Sequence, residues 1–160
     1  MKPRIYIETT IPSYLVARRS RDLRLAAHQE ITEEWWNEHR HGYDLYTSDF
    51  VADEAAEGDG EFATARIATL DGIPRLEITE EVDTLAARFL EGGLIPRNAA
   101  QDAFHVAVAA VHAMDFLLTW NCKHINNVNI IRRLERLSAQ SGYPCPVICS
   151  PDEILPPSTP

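Results

Sequence analysis

Asp102 sits in surroundings that do not suit a carboxylate. It is the only acid between Glu91 and Asp115, and the run after it, Ala103-Phe104-His105-Val106-Ala107-Val108-Ala109-Ala110-Val111, is almost wholly apolar. A helix of that composition is expected to be buried, and a buried ionised carboxylate needs a partner or a metal ion. Three other polar groups stand where short apolar runs end. Glu8-Thr9-Thr10 closes the run from Arg4. Ser48-Asp49-Phe50-Val51-Ala52-Asp53-Glu54 follows the run from Asp44. Thr119-Trp120-Asn121 closes the run from Asp115. In parallel sheets the working site lies outside the carboxyl ends of the strands, so these groups are the candidate chemistry. Each has a plainer alternative. Glu8 could be a strand-end surface acid. Glu54 could be an acid favoured by a helix start, with Asp49 and Asp53 as rivals. Asn121 could be a simple turn residue. His105 shares the helix face of Asp102 and reads first as a packed, hydrogen-bonded core residue. His124, beside Lys123, could reach a phosphate. Trp35 and Trp36 read as core and interface residues. No GxGxxG or Walker pattern, no Cys/His set with zinc spacing and no Gly-x-Ser-x-Gly elbow occurs.

The elements that must position these residues alternate in type. Strands are expected at Arg4 to Glu8, Asp44 to Ser48, Arg75 to Ile78, Asp115 to Trp120 and Pro146 to Cys149. Helices are expected over Asp22 to Arg40, where Leu23, Ala26, Ala27, Ile31 and Trp35 fall near helical spacing, and over Glu61 to Leu70. Glu80 to Glu91 carries Val82, Leu85, Ala86 and Phe89 on one face, and Gly92-Gly93 should stop it. Asn98 could cap the next helix, which runs to about Ala113. Val128 to Gln140 is helical through Ile131, Leu134 and Leu137. Five strands alternating with helices give an α/β fold, a three-layer α/β/α sandwich around a mainly parallel sheet.

The chain has 160 residues, enough for one domain with a real core; residues 1–150 are expected to form it, and 151–160 a Pro-rich tail, extended or frayed. Hydrophobic residues are 45% and charged residues 24%, which excludes a disordered chain. No apolar run spans a bilayer, and an acid at position 8 comes too early for a secretory leader, so a cytoplasmic location without membrane contact is expected. Fifteen basic and 24 acidic residues give a net charge of −9. Such a surface does not attract phosphate backbones non-specifically, although a local cluster such as Arg18, Arg19, Arg21 and Arg24 can differ from the mean. Cys122, Cys145 and Cys149 are odd in number; they suit a reducing compartment and read as buried small hydrophobes.

Two blocks carry a family resemblance. Asp102-Ala103-Phe104-His105-Val106-Ala107-Val108-Ala109, followed by Asp115-Phe116-Leu117-Leu118-Thr119-Trp120-Asn121-Cys122-Lys123-His124, resembles the second half of a PIN domain. The opening Tyr6-Ile7-Glu8-Thr9-Thr10-Ile11-Pro12-Ser13-Tyr14-Leu15 resembles that family's first strand and turn. The likeness covers roughly residues 4 to 150. It implies an α/β/α nuclease, of the kind that forms the toxin half of type II toxin–antitoxin pairs of the VapC type. It also implies an endoribonuclease that cleaves RNA phosphodiesters with a metal-activated water. The implied cofactor is Mg²⁺ or Mn²⁺, hard cations that prefer carboxylate ligands. Carried over singly, Glu8 matches the first acid of the family's site, which is normally Asp. Glu54 matches the second and Asp102 the third, while Asn121 falls where a fourth acid often stands. The metal would lie on Glu8, Glu54 and Asp102, with Asn121 in support and Thr119 near a ligand. The implied partners are an RNA substrate, an antitoxin protein and a second copy of the chain in a homodimer. The departures at Glu8 and Asn121 keep a rival in view: a catalytically weakened PIN-fold module that binds RNA or a protein without cutting.

Overall fold

The computed structural model describes residues 1–155. In chain order the elements are β1 (Arg4–Ile7), α1 (Thr10–Val16), α2 (Leu23–Glu34), β2 (Asp44–Ser48), α3 (Asp49–Ala55), α4 (Gly60–Thr69), β3 (Arg75–Leu76), α5 (Glu80–Glu91), α6 (Ala100–Val111), β4 (Phe116–Leu118), α7 (Val128–Gln140), β5 (Val147–Cys149) and α8 (Pro151–Ile154). All strand pairs are parallel, in the order β3-β2-β1-β4-β5. The expected mainly parallel α/β/α sandwich is therefore the observed one. In β1, Ile5 pairs with Phe116 and Ile7 with Leu118 of β4.

Strand alternation builds two cores. Ile5, Ile7, Leu118 and Cys149 face one side, where Ile11, Ile31, Trp35 and Ile154 from α1, α2 and α8 and the turn after α2 join them. Tyr6, Leu117 and Ile148 face the other, against Val82, Leu85 and Phe89 of α5, Val106 to Ala110 of α6 and Leu134 of α7. This is the period-2 pattern of a sheet covered on both faces. The chain leaves central β1 toward β2 and returns on its other flank as β4. The strand order reverses at β1/β4, the place where such sheets form their binding crevice.

Several expectations change. The stretch after β1, expected as a turn, is helix α1; Pro12 sits in its first turn, where no N–H is missed. Helix α2 ends at Glu34, followed by a π-helical turn over Trp35–His39 and a 3₁₀ turn over Arg40–Gly42. Leu23 does not face the core; it is 85% exposed. Gln29 and Thr32 take inward places instead because each has partners. Gln29 Oε1 accepts from Ser20 N and its Nε2 donates to Arg18 O. Thr32 Oγ1 accepts from Trp120 Nε1 at 2.7 Å. Asn98 is not the cap of α6: it lies in a 3₁₀ turn, Arg97–Ala99, and no side chain caps that helix. The segment expected to be extended begins with α8, held by a capping box between Ser150 and Glu153; residues 156–160 lie outside the described ones. Cys122 is exposed, whereas Cys149 is buried. Among the described residues no helix is long and apolar enough to cross a membrane.

Candidate functional site

Glu8 follows β1 at the centre of the sheet and is 3% exposed. Its backbone N–H still reaches Leu118 O across the β1/β4 junction, at 3.2 Å. Its Oε2 accepts three hydrogen bonds, from Thr10 N at 3.0 Å, Thr10 Oγ1 at 2.5 Å and Thr119 Oγ1 at 2.7 Å. Burial pushes its pKa up; nearby His105 and the Thr10 and Thr119 donors oppose this, and the net direction is upward.

Glu54 lies in α3, whose start is fixed by Ser48 accepting from Val51 N. The rivals point elsewhere: Asp53 is exposed, and Asp49 pairs with Arg75 at 2.8 Å on the surface. Glu54 Oε1 accepts from Thr9 Oγ1 at 2.8 Å and meets His105 Nε2 at 2.5 Å. Burial raises its pKa, but the His105 bond and charge and the Thr9 hydroxyl outweigh that, and it lies below the usual carboxylate range.

His105, fully buried on α6, is the packed core residue that its apolar helix implies, but its partners belong to the site. Nδ1 lies 2.8 Å from Tyr6 Oη, which lies 2.7 Å from Ser48 Oγ. Burial would lower its pKa; the bond to Glu54 and the charges of Glu8, Glu54 and Asp102 raise it above the ordinary value. All three acids thus stand close enough to His105 to act on its charge. The hydroxyls of Tyr6 and Ser48 can turn to suit either protonation state of the ring.

Asp102 projects one turn before His105, with its side chain 15% exposed. Its Oδ2 pairs with His124 Nδ1 at 2.8 Å. His124 belongs to the turn after β4. Its backbone N–H donates to Asn121 Oδ1 at 3.0 Å, and Asn121 N donates to Thr119 Oγ1 at 2.9 Å. A continuous chain therefore runs Glu8–Thr119–Asn121–His124–Asp102. The structure joins Glu8 to Asp102 and Asn121 through this chain, and Glu54 is bonded to His105, one turn along α6 from Asp102. Asn121 spends its side-chain oxygen on the turn, and Thr119 holds Glu8.

The donor set has a regular feature. Glu8, Glu54 and Asp102 each commit one carboxylate oxygen to protein donors, and the second oxygen of each accepts no hydrogen bond from the described residues. Those second oxygens are not sealed in dry core, since among the described residues the sealed side-chain polar atoms without a partner are Trp35 Nε1 and Thr79 Oγ1. Three anionic oxygens free of protein donors fit a hard cation. They stand more widely than direct ligation of one ion by all three requires. Among the described residues, the trio of His, Cys, Asp or Glu ligand atoms within 4.8 Å of one another is Glu34, Glu38 and His39, at the end of α2. Mg²⁺ is usually held by one or two carboxylates and keeps several waters, a pattern the wider spacing allows.

Sequence reasoning placed Ser48 and Thr10 at the strand ends that form the site but gave neither a role, and it missed Tyr6, whose place inside β1 carries no local signal.

No family model matches the sequence, and no curated protein matches it. Among solved structures, the fold resembles a chain in the crystal structure of VapBC2 from Rickettsia felis bound to a DNA fragment from their promoter. The two share 13% identity with a TM-score of 0.58, over 92% of this chain and 98% of the other. A likeness at that identity is one of fold, and the fold is the PIN-like three-layer sandwich that the sequence motifs implied.

Proposed function

We propose that this chain is a metal-dependent endoribonuclease of the PIN type, the toxin of a type II toxin–antitoxin pair. The observation that supports this reading is the convergence of Glu8, Glu54 and Asp102 at the strand-order reversal, each with one carboxylate oxygen pinned and the other free. One or two of these carboxylates would hold Mg²⁺ or Mn²⁺ directly, and the rest would reach it through water. The ion supplies charge to polarise the scissile phosphate and lowers the pKa of an attacking water. The chain's own residues set the geometry. Thr10 and Thr119 aim Glu8, Thr9 and His105 aim Glu54, and His124 aims Asp102. Asn121 fixes the turn that carries His124. Arg18, Arg21 and Arg24 are exposed and offer RNA a basic cluster on a chain whose net charge is −9. The VapBC2 likeness and the motif resemblance support an antitoxin partner, and the resemblance supports a homodimer.

The test is cleavage of structured RNAs by the purified protein with Mn²⁺, with EDTA, and after Asp102→Asn or Glu54→Gln. The proposal expects cleavage that needs the cation and both carboxylates. Cleavage that persists in EDTA, or in both variants, refutes it.

A further inference from the structure

Tyr6 lies in the middle of the central strand and is fully buried. An apolar ring would fill that place without asking for partners, whereas a buried hydroxyl must be satisfied. Tyr6 Oη has two partners, Ser48 Oγ at 2.7 Å and His105 Nδ1 at 2.8 Å. His105 then holds Glu54 with its other ring nitrogen. Ser48 and Glu54 are the two ends of one short segment: Ser48 caps α3, and Glu54 lies near that helix's last residue. The hydrogen bonds and the backbone of α3 together close a ring, Ser48–Tyr6–His105–Glu54 and back along the helix. The ring ties α3 to β1 and α6. It fixes both where the helix begins and where its carboxylate points.

We propose that Tyr6 is a positioning residue for Glu54. Through His105 it sets the direction of Glu54's free oxygen, and so the affinity of the acid cluster for a divalent cation. The inference rests on the reading of Glu8, Glu54 and Asp102 as a cation site. Groups that orient a metal ligand typically change affinity 10–100-fold when removed.

The experiment is calorimetric titration of Mn²⁺ into the full chain, as wild type, Tyr6→Phe, Ser48→Gly and the double variant. Tyr6→Phe removes one oxygen and keeps the ring. Ser48→Gly removes the hydroxyl at a cap position that tolerates glycine well. Wild type should bind Mn²⁺. Tyr6→Phe should bind it about 10-fold or more weakly while keeping its far-UV circular dichroism. Ser48→Gly should shift the same way, and the double variant should be no worse than the weaker single, because both cut one connection. If Tyr6→Phe fails to fold, Ser48→Gly alone decides. Wild-type affinity in the folded variants overturns the positioning role and leaves the cation site standing. A wild-type chain that takes up no Mn²⁺ overturns the cation site itself.

Discussion

Replacing Glu8 with Gln should raise the melting temperature of the cation-free protein at pH 8, although it weakens three hydrogen bonds. Gln keeps the shape and one carbonyl oxygen where Glu8 Oε2 accepts from Thr10 N, Thr10 Oγ1 and Thr119 Oγ1. Losing the charge on the acceptor costs about 1 kcal/mol for each bond. Against that stands the effective cost of burying an ionised carboxylate, several kcal/mol. The upward direction of the Glu8 pKa says that burial outweighs His105 and the donors together. A surplus on the order of 1 kcal/mol corresponds to about 2–4 °C in a chain of this size. The pH dependence fixes the sign. Glu8's folded pKa lies above its unfolded value, so wild type loses stability as pH rises from the ordinary carboxylate value through the folded one. The amide that replaces it in Glu8→Gln does not titrate. The gap between the proteins should therefore open with pH, by at most about 1.4 kcal/mol per unit, and level off above that window. Thermal melts from pH 4 to 8 in EDTA measure it. Mn²⁺ at 100 times its dissociation constant should then add about 2.7 kcal/mol to wild type and much less to the variant. A variant that melts lower at pH 8, with a gap independent of pH, refutes the account of Glu8 as a buried charge awaiting a cation.

The Glu54–His105 pair should shape the same melts at both ends. Glu54's depressed pKa gives stability that is present above the ordinary carboxylate range and lost as pH falls through the folded value. His105's raised pKa gives stability that is present below about 6.5 and lost as pH rises through the folded value. Glu54→Gln should flatten both limbs, and an unchanged profile argues against the ion pair. His124→Ala should lower the melting temperature modestly, by about 2–4 °C for each kcal/mol lost, and weaken Mn²⁺ binding about 10-fold or more; calorimetry reads the second effect, and unchanged affinity would make His124 a turn residue only. Arg19 is spent on Glu33 and Ala26 O, so Arg19→Gln should leave the salt dependence of RNA binding unchanged. Neutralising Arg18, Arg21 and Arg24 together should lower the log–log salt slope by up to about 2 units, at about 0.7 for each contact to a single strand; an unchanged slope returns these residues to a merely solvated surface.

What can be read from the sequence follows how strongly each segment repeats its pattern. Helices α5 and α7 and strand β2 lie where their patterning puts them, because each presents one continuous apolar face or a clean β-type run. Helix α1 is hidden by its own start: Glu8-Thr9-Thr10-Ile11 continues the β-branched character of β1, and Pro12 discourages a helical reading unless it sits in the first turn. Helix α2 is shorter than its apolar spacing implies because the chain goes over to a π turn at Trp35, whose own N–H still bonds Ile31 O in the helical register. The inward use of Gln29 and Thr32 depends on partners from other segments, which no local pattern reports.

The candidate site divides along the same line. Asp102 stands out in the sequence because a carboxylate in an apolar helix must be accounted for, and that argument needs one segment only. His105 reads as core for the same local reason, and its burial is real. Its role is not legible locally because its partners come from β1 and α3, brought together by the parallel order of the sheet. Asn121 shows the point most clearly. Alone, it marks a missing charge. In the fold its side-chain oxygen secures the turn that presents His124 to Asp102. The site then has three carboxylates and two histidines that face them, where a fourth acid would still accept from His124 N but would add a like charge. If a cation binds there, Glu54 and Asp102 already have a histidine on one oxygen, whereas Glu8, buried and bonded only by uncharged donors, has the most to gain from its arrival.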